Sequence, residues 1–215
     1  MPHIFEIFLH LDEYLTQLVG QYGTLTYALL FGIIFAETGL VFFPFLPGDS
    51  LLFAAGAIAA LGSLNIFFLL ALLCVAAVLG DTVNYWIGHF FGEKIIASKK
   101  IPFIKLDHIK KTEEFYAKHG AKMIILARFV PIVRTFAPFV AGIGKMHYST
   151  FITYNVVGGI SWVLTFSLLG FFFGNVPWVQ KNFEVVIVVI ILISVLPMVF
   201  EWLKSKKSSD SSKGG

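Results

Sequence analysis

Charged residues are missing from four long stretches of the chain, and those stretches set the first expectation. Residues 14–36 hold 23 consecutive positions without Asp, Glu, Lys or Arg. As a helix they would extend about 35 Å, enough to cross a hydrocarbon core of about 30 Å. Residues 50–80 give 31 such positions, 146–180 give 35, and 185–200 give 16 that Trp202 extends to an interface. The pattern predicts spans at 14–36, 64–92, 146–175 and 184–203. The first is not expected to be a cleaved signal. Its flank is acidic (Glu6, Asp12, Glu13), it has no basic n-region, and no small-residue cleavage site follows.

Two further apolar stretches are interrupted. Residues 37–56 (ETGLVFFPFLPGDSLLFAAG) carry two acids, two prolines and three glycines; residues 128–142 (RFVPIVRTFAPFVAG) carry two arginines and two prolines. Proline lacks an N–H and clashes with the preceding turn, so neither stretch is expected to be one continuous helix. Broken backbone at membrane depth survives only where protein or a wet cavity satisfies its free groups. The expectation is two re-entrant helical hairpins, at 37–56 and 123–144; two kinked spans are the alternative.

Charge then sets direction. Residues 1–93 contain seven acids and no Lys or Arg, whereas all 16 basic residues fall in 94–215. Eight of them are lysines within 93–122, and Lys204, Lys206, Lys207 and Lys213 follow Glu201. Positive loops stay in the cytoplasm, so both segments and both termini are placed there. Within 93–122, KLDHIKKTEEFYAKHG suggests a helix lying at the interface. The tail 204–215 is polar, low in complexity and expected to be disordered.

The two halves also echo each other. Ala36-Glu37 opens one broken segment and Ala127-Arg128 the other; Ala54-Ala55-Gly56 and Val140-Ala141-Gly142 close them. Each is followed by a long apolar helix ending in similar words, IGHFFG at 87–92 and LGFFFG at 169–174. Both endings contain Gly-x-x-x-Gly, which lets helices approach closely in lipid, within one chain or between copies of a homo-oligomer. A shared Phe, Gly and Leu composition is the competing explanation. The orientation argument makes the first hairpin enter from outside and the second from inside, a plan of two inverted repeats found in transporters.

Composition supports the membrane reading. Hydrophobic residues make up 57% of the chain and charged residues 13%, against roughly 45–50% and 25% in soluble domains. A soluble domain could not cover its surface, and a disordered chain would be more polar. The single cysteine, Cys74, excludes a disulfide framework. His89, His108, His119 and His147 have no metal-ligand spacing, so no metal or cofactor is expected. No phosphate-binding loop or esterase elbow appears, and the basic half reads as topology rather than as a nucleic-acid surface.

The few charges inside apolar sequence carry the candidate chemistry. Glu37, Asp49, Asp81, Arg128 and Arg134 facing lipid would together cost on the order of 12–18 kcal/mol. They must therefore face one another, water or a ligand. A buried ion cluster that only clips the hairpins together is one reading, although an apolar core would do that without desolvating charge. The other uses the planar fork of arginine, which suits phosphate. Arg128 and Arg134 then hold an anionic headgroup while Glu37 or Asp49 exchanges a proton. Asp81, Asn84 and Tyr85 share one helical face by their spacing; they form either a polar packing seam or part of a cavity lining, with Pro47, Gly48 and Pro131 as further lining candidates. Tyr148, Trp162, Trp178 and Trp202 read most simply as interface or packing aromatics.

These segments resemble the signature segments of the bacterial DedA family of inner-membrane proteins. Glu37, Pro-Gly-Asp at 47–49, Gly-Asp-x-x-x-Tyr at 80–85 and Arg-Phe-Val-Pro-x-x-Arg at 128–134 occur together and in order, and the likeness runs from about residue 10 to 203. The resemblance implies a fold with two facing re-entrant hairpins. It also implies a role in returning undecaprenyl phosphate, the lipid carrier of envelope synthesis, from the outer to the inner leaflet, with links to membrane potential and to resistance against cationic antimicrobial peptides. Its essential acids correspond to Glu37 and Asp49, and its essential arginines to Arg128 and Arg134.

The resulting expectation is an all-α polytopic protein of the bacterial inner membrane that moves an anionic lipid, uses protons or membrane potential, and is not an enzyme. A proton-coupled exporter of small cations or drugs is the alternative. An intramembrane phosphatase would need a positioned base near the arginines, and the nearest histidine, His147, follows the hairpin near a membrane surface. A purely structural or assembly role is the last reading.

Overall fold

The computed structural model describes residues 23–40, 48–97, 116, 120–182, 185 and 189. Among them every regular element is a helix: α1 (Leu25–Gly39), α2 (Gly48–Ala60), α3 (Ile66–Ala97), a 3-10 turn (Gly120–Lys122), α4 (Met123–Ala127), α5 (Pro131–Ile143), α6 (Tyr148–Phe173) and α7 (Pro177–Lys181). The expected span 184–203, the tail 204–215, the interfacial helix within 93–122 and the first turn at 41–47 lie wholly or mostly outside the described residues, as does the start of the span 14–36.

Two helices, over Ile66–Gly92 and Tyr148–Phe173, are long and apolar enough to cross a membrane. α3 starts where the Asn65 side chain accepts the Phe68 N–H at 3.1 Å, capping free donors of its first turn. The other apolar helices are short. α2, with 13 residues, reaches only about 20 Å. Every residue from Gly48 to Ala59 is buried, as a helix that is apolar all round requires.

Two boundaries differ from expectation. The first segment does not break at Glu37: α1 continues to Gly39, because Glu37 and Thr38 both tolerate helical backbone and the Thr38 hydroxyl donates back to the Ile34 carbonyl at 2.9 Å. In the second segment the interruption is confined to 128–130. Val130 is extended and Pro131 opens α5, a position where its missing N–H has no helical partner to lose. Pro138 lies inside α5 without ending it.

The packing is reciprocal. α2 lies on α6 and α5 lies on α3, while α1 also packs on α3 and α4 on α6. Small residues allow these approaches: a Cβ at Gly170 would run into the Phe53 carbonyl, and one at Gly88 into the Phe139 carbonyl. Gly56 lies against the Ser167 backbone and Gly142 against the Tyr85 backbone; Gly174 meets Ala57 and Gly92 meets Ile143. These pairs share a constant register. Short-helix residues 53, 56 and 57 correspond to 139, 142 and 143, and long-helix residues 85, 88 and 92 to 167, 170 and 174. Each short helix of one half thus lies on the long helix of the other, in the register in which the two halves echo each other in sequence.

Gly170→Val should therefore force the α2–α6 seam apart, at a cost of about 1–3 kcal/mol or more. Gly32, with nothing within 4 Å of its would-be Cβ, is the control. Thermal unfolding of the purified protein should show a marked drop for Gly170→Val and none for Gly32→Ala.

Candidate functional site

The charges picked out in sequence come to rest at helix ends and mid-helix positions that the two seams bring together. Glu37 arrives on the last turn of α1, which can lie close against α3 at Gly80. Asp49 stands in the first turn of α2, where the helix dipole favours an acid. Asp81 and Asn84 sit mid-way along α3, Arg128 caps the C-terminal end of α4, and Arg134 occupies the opening of α5. Asn155 and Trp162 project from α6.

Arg134 is held by two carboxylates. Its Nη1 donates to Asp49 Oδ1 at 2.7 Å and its Nη2 to Glu37 Oε1. The same Glu37 oxygen accepts the Gly48 backbone N–H at 3.2 Å. A side chain at position 48 would collide with the Glu37 carboxyl, so the glycine is required for this approach. Arg128 is held differently. Its Nη2 donates to Asp81 Oδ2 at 2.5 Å and to Asn155 Oδ1 at 2.6 Å. Asn155 in turn donates to the Val78 carbonyl at 3.1 Å, which fixes its amide so that the oxygen faces the arginine.

Burial makes these pairings obligatory. Relative exposure is 2% for Arg128, 9% for Arg134, 3% for Glu37 and Asp81, and 8% for Asp49. Ions this buried persist only when paired and hydrogen-bonded. The pairing is incomplete, however: Arg128 Nε and Nη1, Glu37 Oε2 and Asn84 Oδ1 have no hydrogen-bond partner among the described residues. Arg128 therefore keeps unused donors in a buried position. With all five groups ionised, three carboxylates face two guanidinium groups, leaving one negative charge in excess.

Of the other candidates, Asn84 acts as a clamp: its amide donates to the Thr38 carbonyl at 3.1 Å and the Thr135 carbonyl at 2.9 Å, tying both interrupted segments to α3. Tyr85 does not join the charges. Its hydroxyl donates to the Met146 carbonyl at 2.5 Å, and its ring stacks on Phe151 with centroids 4.4 Å apart. Pro131 starts α5, and Pro47 lies outside the described residues. Among the described residues no three His, Cys, Asp or Glu side chains are grouped to hold a metal ion.

Two members were missed in sequence. Trp162, expected to be a packing or interface aromatic, is fully buried within the cluster. Its Nε1–H donates to Asp49 Oδ1 at 2.7 Å, and its ring centroid lies 5.0 Å from Arg134 Cζ and 5.8 Å from Arg128 Cζ. Asn155 is uncharged and does not stand out among the apolar residues around it. The available signal was spacing: Asn155, Gly158, Gly159 and Trp162 lie on one face of α6, and the two glycines leave room for the Arg128 side chain.

Residues 46–172, which hold most of this cluster, match the family model of the VTT domain. The chain is 51% identical over 208 residues to Protein DedA of Escherichia coli K12, covering 96% of this chain and 95% of that protein. The chain belongs to the DedA family. Within the family it is also 41% identical over 182 residues to an uncharacterized membrane protein of Mycobacterium leprae, covering 84% and 82% of the two chains. The inner membrane protein YqjA of E. coli K12 is 32% identical over 174 residues, covering 81% and 79%. No solved structure matches the chain. This DedA-family chain is a membrane protein with apolar helices of spanning length.

Removing Arg128 would leave Asp81 buried without its counter-charge. Arg128→Ala should cost about 3–5 kcal/mol, whereas the double change Arg128→Met with Asp81→Leu should recover most of that loss. Thermal unfolding of the two variants beside the parent protein checks this.

Proposed function

We propose that this protein carries undecaprenyl phosphate, or a closely related anionic lipid, between the leaflets of the bacterial inner membrane. The observation that carries this reading is a fully buried arginine, Arg128, whose Nε and Nη1 have no partner among the described residues, beside a second arginine held by two acids. Guanidinium N–H groups in fixed geometry recognise phosphate oxygens, and a buried site strengthens each such bond. Membership of the DedA family supports the same substrate. In this reading Arg128 and Arg134 hold the phosphate, the prenyl chain stays in the surrounding lipid, and the protein acts as a carrier and not as an enzyme.

The excess carboxylate supports a proton link. An anion added to these three acids and two arginines raises the negative charge of the five-group cluster further, and proton uptake by Glu37 or Asp49 relieves it. In this reading residues 37–56 and 123–144 form two re-entrant hairpins in inverted repeats, and both termini lie in the cytoplasm. Support comes from the shortness of α2 and α5 and from the matched register of their seams on α6 and α3. The same excess carboxylate also favours the runner-up, a proton-coupled exporter of small cations or drugs.

Leaflet-resolved movement of undecaprenyl phosphate in proteoliposomes tests the proposal. Arg134→Ala should abolish transport and Arg128→Lys should slow it at least about tenfold, because an ammonium cannot reproduce the fork. A cation exporter would tolerate Arg128→Lys. Glu37→Gln should remove the response of the rate to an imposed pH gradient; a response equal to that of the parent protein defeats the proton link, and equal rates for parent and Arg134→Ala defeat the lipid reading.

A further inference from the structure

We propose that Trp162 is a positioning residue of the site: its indole N–H fixes Asp49 on Arg134, and its ring face holds the two guanidinium groups at a set separation. The proposal rests on the reading of the cluster as a site for a lipid phosphate.

Three observations carry it. First, a tryptophan used only for packing needs some acceptor for its N–H, and a backbone carbonyl would serve. Here the acceptor is a carboxylate oxygen, Asp49 Oδ1, which also takes the Arg134 Nη1 bond, both at 2.7 Å. Loss of the indole donor leaves that oxygen with one bond fewer from these two donors. Second, both arginines lie within 6 Å of the same ring centroid. The electron-rich face attracts each of them and offsets part of their mutual repulsion, an effect strongest where water is excluded. Third, the ring is immobilised. Trp162 is fully buried and stands on α6, which packs against α2 with Asp49, against α3 with Asp81, and against α4, which ends at Arg128. A phosphate bridging two arginines needs them spaced to match its own oxygens, and the structure provides a rigid spacer at that point.

The full-length protein in lipid nanodiscs provides the test, with farnesyl phosphate as probe and farnesol as its uncharged control. Trp162→Phe keeps the ring and removes the N–H; it should fold with a melting temperature close to that of the parent protein yet bind farnesyl phosphate about tenfold more weakly. Asp49→Asn provides the coupling measurement: in that background Trp162→Phe should cause little further loss. A second measurement leaves Trp162 in place. With Trp86, Trp178 and Trp202 changed to Phe, the remaining emission should change saturably with farnesyl phosphate and not with farnesol. If the probe binds while Trp162→Phe binds equally well and the emission is unmoved, Trp162 is packing only and the proposal falls, with the lipid reading intact. If the effects of Trp162→Phe and Asp49→Asn simply add, the link through Asp49 is overturned. If the parent protein does not distinguish farnesyl phosphate from farnesol, the lipid-phosphate reading itself fails and this inference goes with it.

Discussion

An ion in a low-dielectric interior must find its counter-ion, and in this protein that requirement fixes where six helices meet. Glu37, Asp49, Asp81, Arg128 and Arg134 come from α1 to α5, and α6 adds Asn155 and Trp162. None of the five charges is more than 9% exposed, so separating any helix from the group would strand a charge away from both water and partner. The glycine contacts of the seams set one register along their length. The ion pairs reinforce it, since a slide of one turn, about 5.4 Å, would break bonds of 2.5 to 2.7 Å.

The seams and the charges depend on each other through backbone proximity. Lipid tails are as apolar as leucine, so helix association relies on close packing rather than on escape from water. Gly56, Gly170, Gly88 and Gly142 permit backbones to touch, and the same economy of side chains recurs at the site itself. Gly48 admits the Glu37 carboxyl to the start of α2, Gly80 admits the end of α1 to α3, and Gly158 and Gly159 admit Arg128 to α6. At these glycines a charged or backbone group of another helix fills the space.

Much of this was legible in the chain because membrane burial leaves strong marks. Absence of charge located the long helices near 66–92 and 148–173, and the rarity of ionised residues in apolar sequence singled out five residues that do meet in space. The echo between Ala-Ala-Gly and Val-Ala-Gly and between the two Phe-rich endings has the register in which α2 and α5 pack. What stayed hidden was local. Glu37 opens an interrupted segment in the sequence, but nothing in a glutamate stops a helix, and α1 runs on to Gly39. Tyr85 has the spacing to share a face with Asp81, yet a helix face is broad, and its ring went to Phe151 and its hydroxyl to Met146. Trp162 and Asn155 carry no charge, and neutral donors and acceptors in an apolar stretch look like ordinary polar spacing.

The two arginines, equivalent in sequence, differ in the structure in a way that bears on how an anion would enter. Arg134 sits in the opening turn of α5, where the helix dipole disfavours a cation, and two carboxylates compensate for it. Both of its terminal nitrogens are engaged. Arg128 sits at the C-terminal end of its helix and has one carboxylate and one amide on a single nitrogen, with no partner for Nε and Nη1 among the described residues. In the proposed transport, an anion reaching the buried Arg128 would bond donors that have no partner among the described residues, whereas at Arg134 it would compete with Glu37 or Asp49 for donors already taken. Under the proposed transport, protonation of Glu37 would release Arg134 Nη2 for the newcomer while Asp49, bonded to the Trp162 indole, keeps the guanidinium oriented, so anion binding and proton uptake would favour each other through one shared set of hydrogen bonds. That coupling would need no long-range relay, because the competing groups are already in contact.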